Sequence, residues 1–313
     1  MGDKHTTERL AGDDRGIARA AALIAAGGLV ALPTETVYGL AARADSETAV
    51  AAIYRAKGRP DFNPLIVHVP SLAAAERIGR FDVRARALAA RFWPGPLTLV
   101  LPLQDESGID RAVTAGLPTI ALRCPAHPAM RAVLERTGLP LAAPSANRSG
   151  AVSPTSAEHV LATLDGRIDA VLDAGACPRG LESTVVALRA SGWQLLREGP
   201  IAMRDLVALL GAPAPVSEAR IESPGQLAQH YSPGKPVRLG AARPGPDEFM
   251  IGFGTVEGDC NLSRDSDLLE AAARLYACLH HAAESPKPRV AVAPIPDEEI
   301  GAAINDRLRR AAA

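Results

Sequence analysis

The chain has 313 residues, 47% apolar and 22% charged, with a formal net charge of −1. That length implies one large domain plus a smaller one around a core that needs no staples, and the near-neutral balance speaks against a surface coated for non-specific nucleic-acid binding while leaving room for a local cationic pocket. The long apolar stretch over residues 18–32 is alanine-rich and broken at Gly27-Gly28, too short to span a bilayer, and no signal-peptide pattern precedes it, so a soluble cytoplasmic protein is expected.

Residues 1–14 are polar and read as loose. Ile17, Ala20, Ala21 and Ile24 recur at helical spacing, and Gly27-Gly28 stops that helix. Residues 29–32 form a short strand, and Asp45 or Ser46 caps a helix through Arg55. A strand over 64–69 follows, then a helix over 83–92 closed by Trp93-Pro94-Gly95-Pro96. Strands over 97–101 and 119–122, a helix over 127–137 and a short strand over 139–142 come next. Ser153-Pro154 predicts a helix to Leu164 with proline in its first turn and Ser153 as the cap. Strands over 170–172, 184–188 and 193–196 precede a helix over 203–210. This alternation describes an α/β domain, and the adjacent late strands make its sheet mixed rather than parallel. Residues 213–236 are rich in Pro, Gly and Ser and read as a linker or covering loop. Strands over 237–239, 249–253 and 290–292 with helices over 267–281 and 298–310 predict a small second α/β domain. The expected units are therefore 15–212, a linker over 213–236, and 237–313.

Two distant stretches place hydroxylated and cationic residues in loops bordered by apolar runs. One is Leu32 to Leu40 followed by Lys57-Gly58-Arg59-Pro60; the other is Ala143 to Gly150. Lys57 and Arg59 are either helix-end cations facing terminal carbonyls or a pair gripping a polyphosphate, where charge develops in phosphoryl or nucleotidyl transfer. No Walker-type loop exists, so a nucleotide site is not of the P-loop kind. Ser145 and Asn147 either close a turn or hold phosphate oxygens or a carbonyl. Ser145 has no G-x-S-x-G context of a hydrolase nucleophile. Ser153 as a helix cap also marks an anion-binding position. His68 lies in an apolar strand, the usual setting of a core histidine. Thr34, Glu35 and Thr36 can form a polar floor, with Glu35 alternatively on the surface. Arg123 and Arg197 end apolar strands, where a buried stem and an exposed fork are common. Cys124, Cys177, Cys260 and Cys278 include no C-x-x-C pair and read as reduced small hydrophobes. No cluster has metal-ligand spacing.

Together, Pro33-Thr34-Glu35-Thr36-Val37-Tyr38-Gly39-Leu40, Lys57-Gly58-Arg59 and Asn63-Pro64-Leu65 resemble the opening of the YrdC-like family. Trp93-Pro94-Gly95-Pro96-Leu97-Thr98, Ala143-Pro144-Ser145-Ala146-Asn147 with Ser149-Gly150, and Glu182-Ser183-Thr184-Val185 extend the resemblance over most of residues 15–210. His230-Tyr231-Ser232-Pro233 and the small tail look like its long, two-domain form. The resemblance implies a twisted mixed sheet with a large cationic cavity, and a small Rossmann-like C-terminal domain. It implies an L-threonylcarbamoyladenylate synthase, a nucleotidyltransferase using L-threonine, bicarbonate or CO2, and ATP with Mg2+. Its product would pass to a downstream transferase acting on tRNA to form N6-threonylcarbamoyladenosine.

Carried over by position, the family's K-x-R and S-x-N signature falls on Lys57, Arg59, Ser145 and Asn147 as catalytic residues. Its threonine site falls on Thr36, His68, Arg123, Ala143 and Ser183. Its ATP site falls on Arg59, Asn63, Thr119, Ser145, Ser153 and Arg197, with Tyr231 closing over the nucleotide. Two rivals stand beside this reading. One is a carbamoyl-adenylate-forming hydrogenase-maturation enzyme, whose acylphosphatase-like and zinc-finger segments are lacking here. The other is an RNA-binding module, weakened by the 4% aromatic content.

Overall fold

A computed structural model describes residues 6–214, 222 and 230–313. Strand β1 (Glu8–Ala11) leads into helix α1 (Asp14–Ala25), whose first turn is capped by the Asp13 carboxylate accepting from the Gly16 amide at 2.8 Å. After β2 (Val30–Leu32) and β3 (Gly39–Arg43), Ser46 caps α2 (Glu47–Lys57), which ends at a left-handed Gly58. Then follow β4 (Ile66–His68), α3 (Leu72–Glu76), α4 (Val83–Phe92), β5 (Leu97–Pro102) and β6 (Thr119–Arg123). Helix α5 (Pro128–Thr137), β7 (Leu141–Ala142), α6 (Ala157–Leu164), β8 (Ala170–Asp173), β9 (Thr184–Arg189), β10 (Gly192–Arg197) and α7 (Met203–Leu210) complete the larger unit. The C-terminal part contains β11 (Val237–Arg238), β12 (Glu248–Gly252), β13 (Cys260–Asn261), α8 (Leu268–Glu284), β14 (Arg289–Val292) and α9 (Ile300–Ala312).

Among the described residues the larger sheet runs β1-β8-β2-β3-β7-β4-β6-β5-β9-β10 and mixes parallel with antiparallel pairs. The two-residue period of its strands divides the core. Val30 and Leu32 pack with Ile24, Met130 and Val133 beneath α1 and α5, whereas Ala31 joins Leu40, Ile53 and Leu88 on the other side. Both faces are covered, which explains strands that read as continuous apolar runs. The second sheet, β11-β14-β12-β13, is parallel throughout, with α8 and α9 packed together as in a Rossmann-like unit. Its core continues across to Val37, Val152, Leu181 and Tyr231.

Several expectations are corrected. Residues 8–11 are not loose: they form β1, parallel to β8, although residues 1–5 lie outside the described chain. Strand β3 begins at Gly39, inside the stretch expected to be loop, and α3 and β13 are short elements that the sequence reading does not include. Ser153 caps no helix: α6 begins at Ala157, capped by Ser156. The Pro154 carbonyl instead accepts from the Tyr38 amide, and the Ser153 hydroxyl donates to buried Glu182 at 2.6 Å. Cys260 and Cys278 are not reduced residues but a disulfide joining β13 to α8, their Cα atoms 5.9 Å apart; no sequence spacing signals a pair that only the fold aligns. Cys124 and Cys177 are free and buried. Most of the covering segment, 215–221 and 223–229, lies outside the described residues.

One close approach of the second unit to the first is at Gly180. Its φ is +67°, and an added Cβ would lie 2.4 Å from the Ala272 carbonyl oxygen in α8. Gly180→Ala is therefore expected to lower the unfolding free energy by about 2–4 kcal/mol in urea denaturation, through strain and overpacking together.

Candidate active site

Strand ends and the loops that follow them surround one narrow pocket. After β2, Thr34 folds its loop: its hydroxyl accepts from the Thr36 and Val37 amides and donates to the Val37 carbonyl at 2.7 Å. A hydroxyl carries one proton, so the 2.8 Å contact between Thr34 and Thr36 is donated by Thr36. Thr36 in turn accepts from Arg123 Nη1 at 2.9 Å. Arg123, at the end of β6, also donates Nη2 to Glu35 Oε1 at 2.6 Å and Nε to the Gly95 carbonyl at 3.3 Å. Glu35 Oε2 accepts from the Ala126 amide. Glu35 is thus a buried partner and not a surface carboxylate. Burial would raise its pKa, but the charge and hydrogen bond of Arg123 bring it below the usual carboxylate range.

His68 ends β4 beside Arg123 in register. It is buried, its Nδ1 has no hydrogen-bond partner among the described residues, and its ring lines the pocket. Burial, then the charge of Arg123, lowers its pKa to about 3, so the imidazole is neutral at physiological pH. Ser183, just before β9, shares a 2.7 Å hydroxyl contact with Thr98 and accepts from Arg197 Nη2 at 3.0 Å. Arg197 also donates Nε to the Ser183 carbonyl. The whole Arg197 and Arg123 guanidinium groups are buried, not only their stems.

Lys57 is fully enclosed. Its ammonium donates to the Ser145 and Asn147 carbonyls at 2.6 and 2.5 Å and faces Asn147 Oδ1 at 3.4 Å. Burial, then the charge of Arg59, lowers its pKa well below that of a solvated lysine. Asn147 Nδ2 donates to the Arg148 and Ala151 carbonyls. Lys57 and Asn147 thus lock the loop that carries Ser145, standing behind the pocket wall. Arg59 faces the pocket, its Nε and Nη2 tied to the Asn63 and Pro64 carbonyls at 3.1 and 2.8 Å. Burial lowers its pKa to about 10, still charged at neutral pH.

Thr36, His68, Arg123, Ala143 and Ser183 all line this pocket, as do Arg59, Ser145, Arg197 and Tyr231. Asn63, Ser153 and Thr119 do not. Asn63 stands behind Arg59 with its side-chain Oδ1 buried and unpartnered. Thr119 lies at the far end of β6, about 13 Å along the strand from Arg123 at its usual rise. Tyr231, at φ +65°, stacks on Tyr276 at 5.6 Å and sits under Arg307.

Sequence reasoning assigned no role to Glu182, although it opens the quoted Glu182-Ser183-Thr184-Val185 string. Among the described residues it is the one carboxylate lining the pocket. Burial would raise its pKa; Arg307 and Arg197, with hydrogen bonds from Ser153 and Tyr276, bring it down to about 2. The cavity holds about 40 Å³, room for a few waters. Nucleotide-sized pockets run to several hundred, roughly 300–1,000 Å³. The arrangement places hydrogen-bonding and cationic groups suited to an amino acid and anionic oxygens around a space smaller than a nucleotide.

A family model described as telomere recombination, for Sua5, YciO and YrdC proteins, matches residues 22–199. A model described as the threonylcarbamoyl-AMP synthase C-terminal domain matches residues 201–313. The threonylcarbamoyl-AMP synthase of Bacillus subtilis (strain 168) is 39% identical over 332 residues, spanning 98% of this chain and 95% of that protein. That of Pyrococcus abyssi is 36% identical, spanning 93% and 92%. The crystal structure of P. abyssi Sua5 complexed with L-threonine matches with a TM-score of 0.88 at 34% identity, over 98% of this chain and 97% of that one.

The Glu182 carboxyl has a folded pKa near 2 against an ordinary 4.5. Its stabilisation is therefore complete above about pH 4.5 and is lost as pH falls toward 2, by an amount on the order of 3 kcal/mol. Urea unfolding across that window is expected to show a shallower acid decline for Glu182→Gln than for the wild type.

Proposed function

The chain belongs to the Sua5/YciO/YrdC family and carries the C-terminal domain of threonylcarbamoyl-AMP synthases, and from that premise we propose that it joins L-threonine, bicarbonate or CO2, and ATP into threonylcarbamoyl-AMP, releasing pyrophosphate and, when bicarbonate is the source, water. It is a nucleotidyl-transferring enzyme. The observation that carries this reading is agreement in sequence and fold over nearly the whole chain with relatives of that name. The product serves N6-threonylcarbamoyladenosine formation in tRNA through a downstream transferase, in the cytoplasm. Among the described residues no helix is long and apolar enough to cross a membrane. Residues 15–212 form the catalytic domain, 213–236 the cover, and 237–313 the accessory domain.

The neutral amine of threonine attacks CO2, free or formed from bicarbonate with loss of water, and gives up a proton to solvent to leave a carbamate. A carbamate oxygen then attacks the α-phosphorus of ATP, the bond to the bridging oxygen breaks, and pyrophosphate leaves. A carbamate is short-lived in water, so it must be held dry and close to ATP. Neutral His68, with its unpartnered Nδ1, accepts a hydrogen bond from the threonine hydroxyl, and Ser183 faces the same space. Arg123 has five N–H groups and uses three on Glu35, Thr36 and Gly95, leaving two for the threonine carboxylate. Arg59 and Arg197 offset charge on the phosphates, and Ser145 is held toward them by the Lys57 loop. Lys57 and Asn147 act here by positioning.

Magnesium enters as part of the substrate, MgATP. No group of three or more His, Cys, Asp and Glu side chains is gathered among the described residues, and both oxygens of Glu182 already accept hydrogen bonds. The chain thus offers no preformed cage, in keeping with a cation bound mainly through phosphates. Tyr231 moves with the covering segment to admit the nucleotide and returns to exclude water.

The purified chain is expected to release pyrophosphate only when ATP, L-threonine and bicarbonate are all present. Release that ignores threonine and bicarbonate, or that needs carbamoyl phosphate, defeats the proposal. 2-Aminobutyrate, which lacks the hydroxyl, is expected to lose on the order of 10⁴-fold in kcat/KM, because it leaves buried polar groups unpaired.

A further inference from the structure

The carboxylate in the pocket wall is a poor neighbour for a triphosphate, since like charges repel strongly where water is excluded. Its counter-charge comes from the other sheet's unit. Arg307, in α9, is wholly buried; its Nε donates to Glu182 Oε2 at 3.0 Å and its Nη2 to the Glu198 carbonyl at 2.8 Å. Tyr276, in α8, donates its hydroxyl to the same Oε2 at 2.7 Å. Glu182 Oε1 is left to accept from Ser153. Tyr276 and Arg307 also pack against Tyr231, one by ring stacking and the other by its guanidinium 5.4 Å from the ring centre. Asp306 takes only Nη1 of Arg307, the edge turned away from Glu182.

We propose that Arg307 is a positioning residue for the nucleotide, contributed by the C-terminal domain. By neutralising Glu182 it leaves the charge of Arg59 and Arg197 to the ATP phosphates, and with Tyr276 it seats Tyr231 over the pocket. The inference rests on the function proposed above. It assigns the second domain a task inside the site: without Arg307 the negative charge in the wall facing the phosphates is offset only by drawing on Arg197. A purely structural salt bridge would make a different prediction, because its loss would be felt equally by every ligand.

Equilibrium binding of MgATP and of L-threonine to the full-length chain, by isothermal titration, tests this directly. Arg307→Met is expected to weaken ATP binding by about tenfold or more while threonine binding changes by less than about threefold. Adding Glu182→Gln removes the stranded charge, so the double variant is expected to recover ATP affinity to within about threefold of wild type. Wild-type ATP affinity in Arg307→Met, or a double variant that stays as weak as the single one, overturns the proposal. If Arg307→Met does not fold, the double variant and Glu182→Gln alone decide: ATP affinity within about threefold of wild type in both supports it, and a tenfold loss in either overturns it. Pyrophosphate release by the wild type judges the functional reading separately. A wild type that binds ATP but makes no threonine-dependent pyrophosphate defeats that reading and leaves the charge pairing standing.

Discussion

Charge taken out of water must be paired, and the pocket is built from side chains that meet this requirement across long stretches of sequence. Arg123 meets Glu35 at a separation of 88 residues, Lys57 meets the Asn147 carbonyl at 90, and Glu182 meets Arg307 at 125. None of these partners can be supplied by a local turn. Each fixes one wall: Arg123 and Glu35 hold the loop after β2, Lys57 holds the loop after β7, and Arg307 holds the start of β9. The site as it stands therefore draws both on the sheet in register and on the second unit.

The pocket faces of these groups have a particular character. Arg59 and Arg197 keep guanidinium groups against the pocket, while burial holds His68 neutral with an open ring nitrogen. Positive groups for an anion and an uncharged acceptor for a hydroxyl are what joining an amino acid to a nucleotide asks of a site. Tyr231 packs against Tyr276 and Arg307, so a residue that lines the pocket is also a contact between the two units.

Much of the fold was legible because strong local signals agreed with one another. The helix over 83–92 was delimited by Trp93-Pro94-Gly95-Pro96 and stands where that run places it, and the helix over 203–210 stands at its expected bounds. Strand β1 was not legible, because four residues at a polar end carry no period until β8 supplies a partner. Ser153 misled for a physical reason: Ser-Pro is a good helix start, but a buried carboxylate 29 residues away outbid the helix for its hydroxyl. The cysteine pair failed similarly, since β13 and α8 align only in the folded second unit.

By itself, the sequence determined the α/β alternation, the cap at Ser46, the stops at Gly27-Gly28 and Trp93-Pro94, and the ordered motifs that mark the family. These depend on neighbours within a few residues, or on the identity of residues in strings. Only the tertiary structure decided that Lys57 and Asn147 stand behind the pocket wall, that Arg123 is already partnered by Glu35, and that Glu182 belongs to the pocket with a counter-ion in α9. The reason is the range of the forces. Hydrogen-bonded turns and apolar periodicity act along the chain, whereas the desolvation of charge acts through space and is settled by whichever residues the fold brings together.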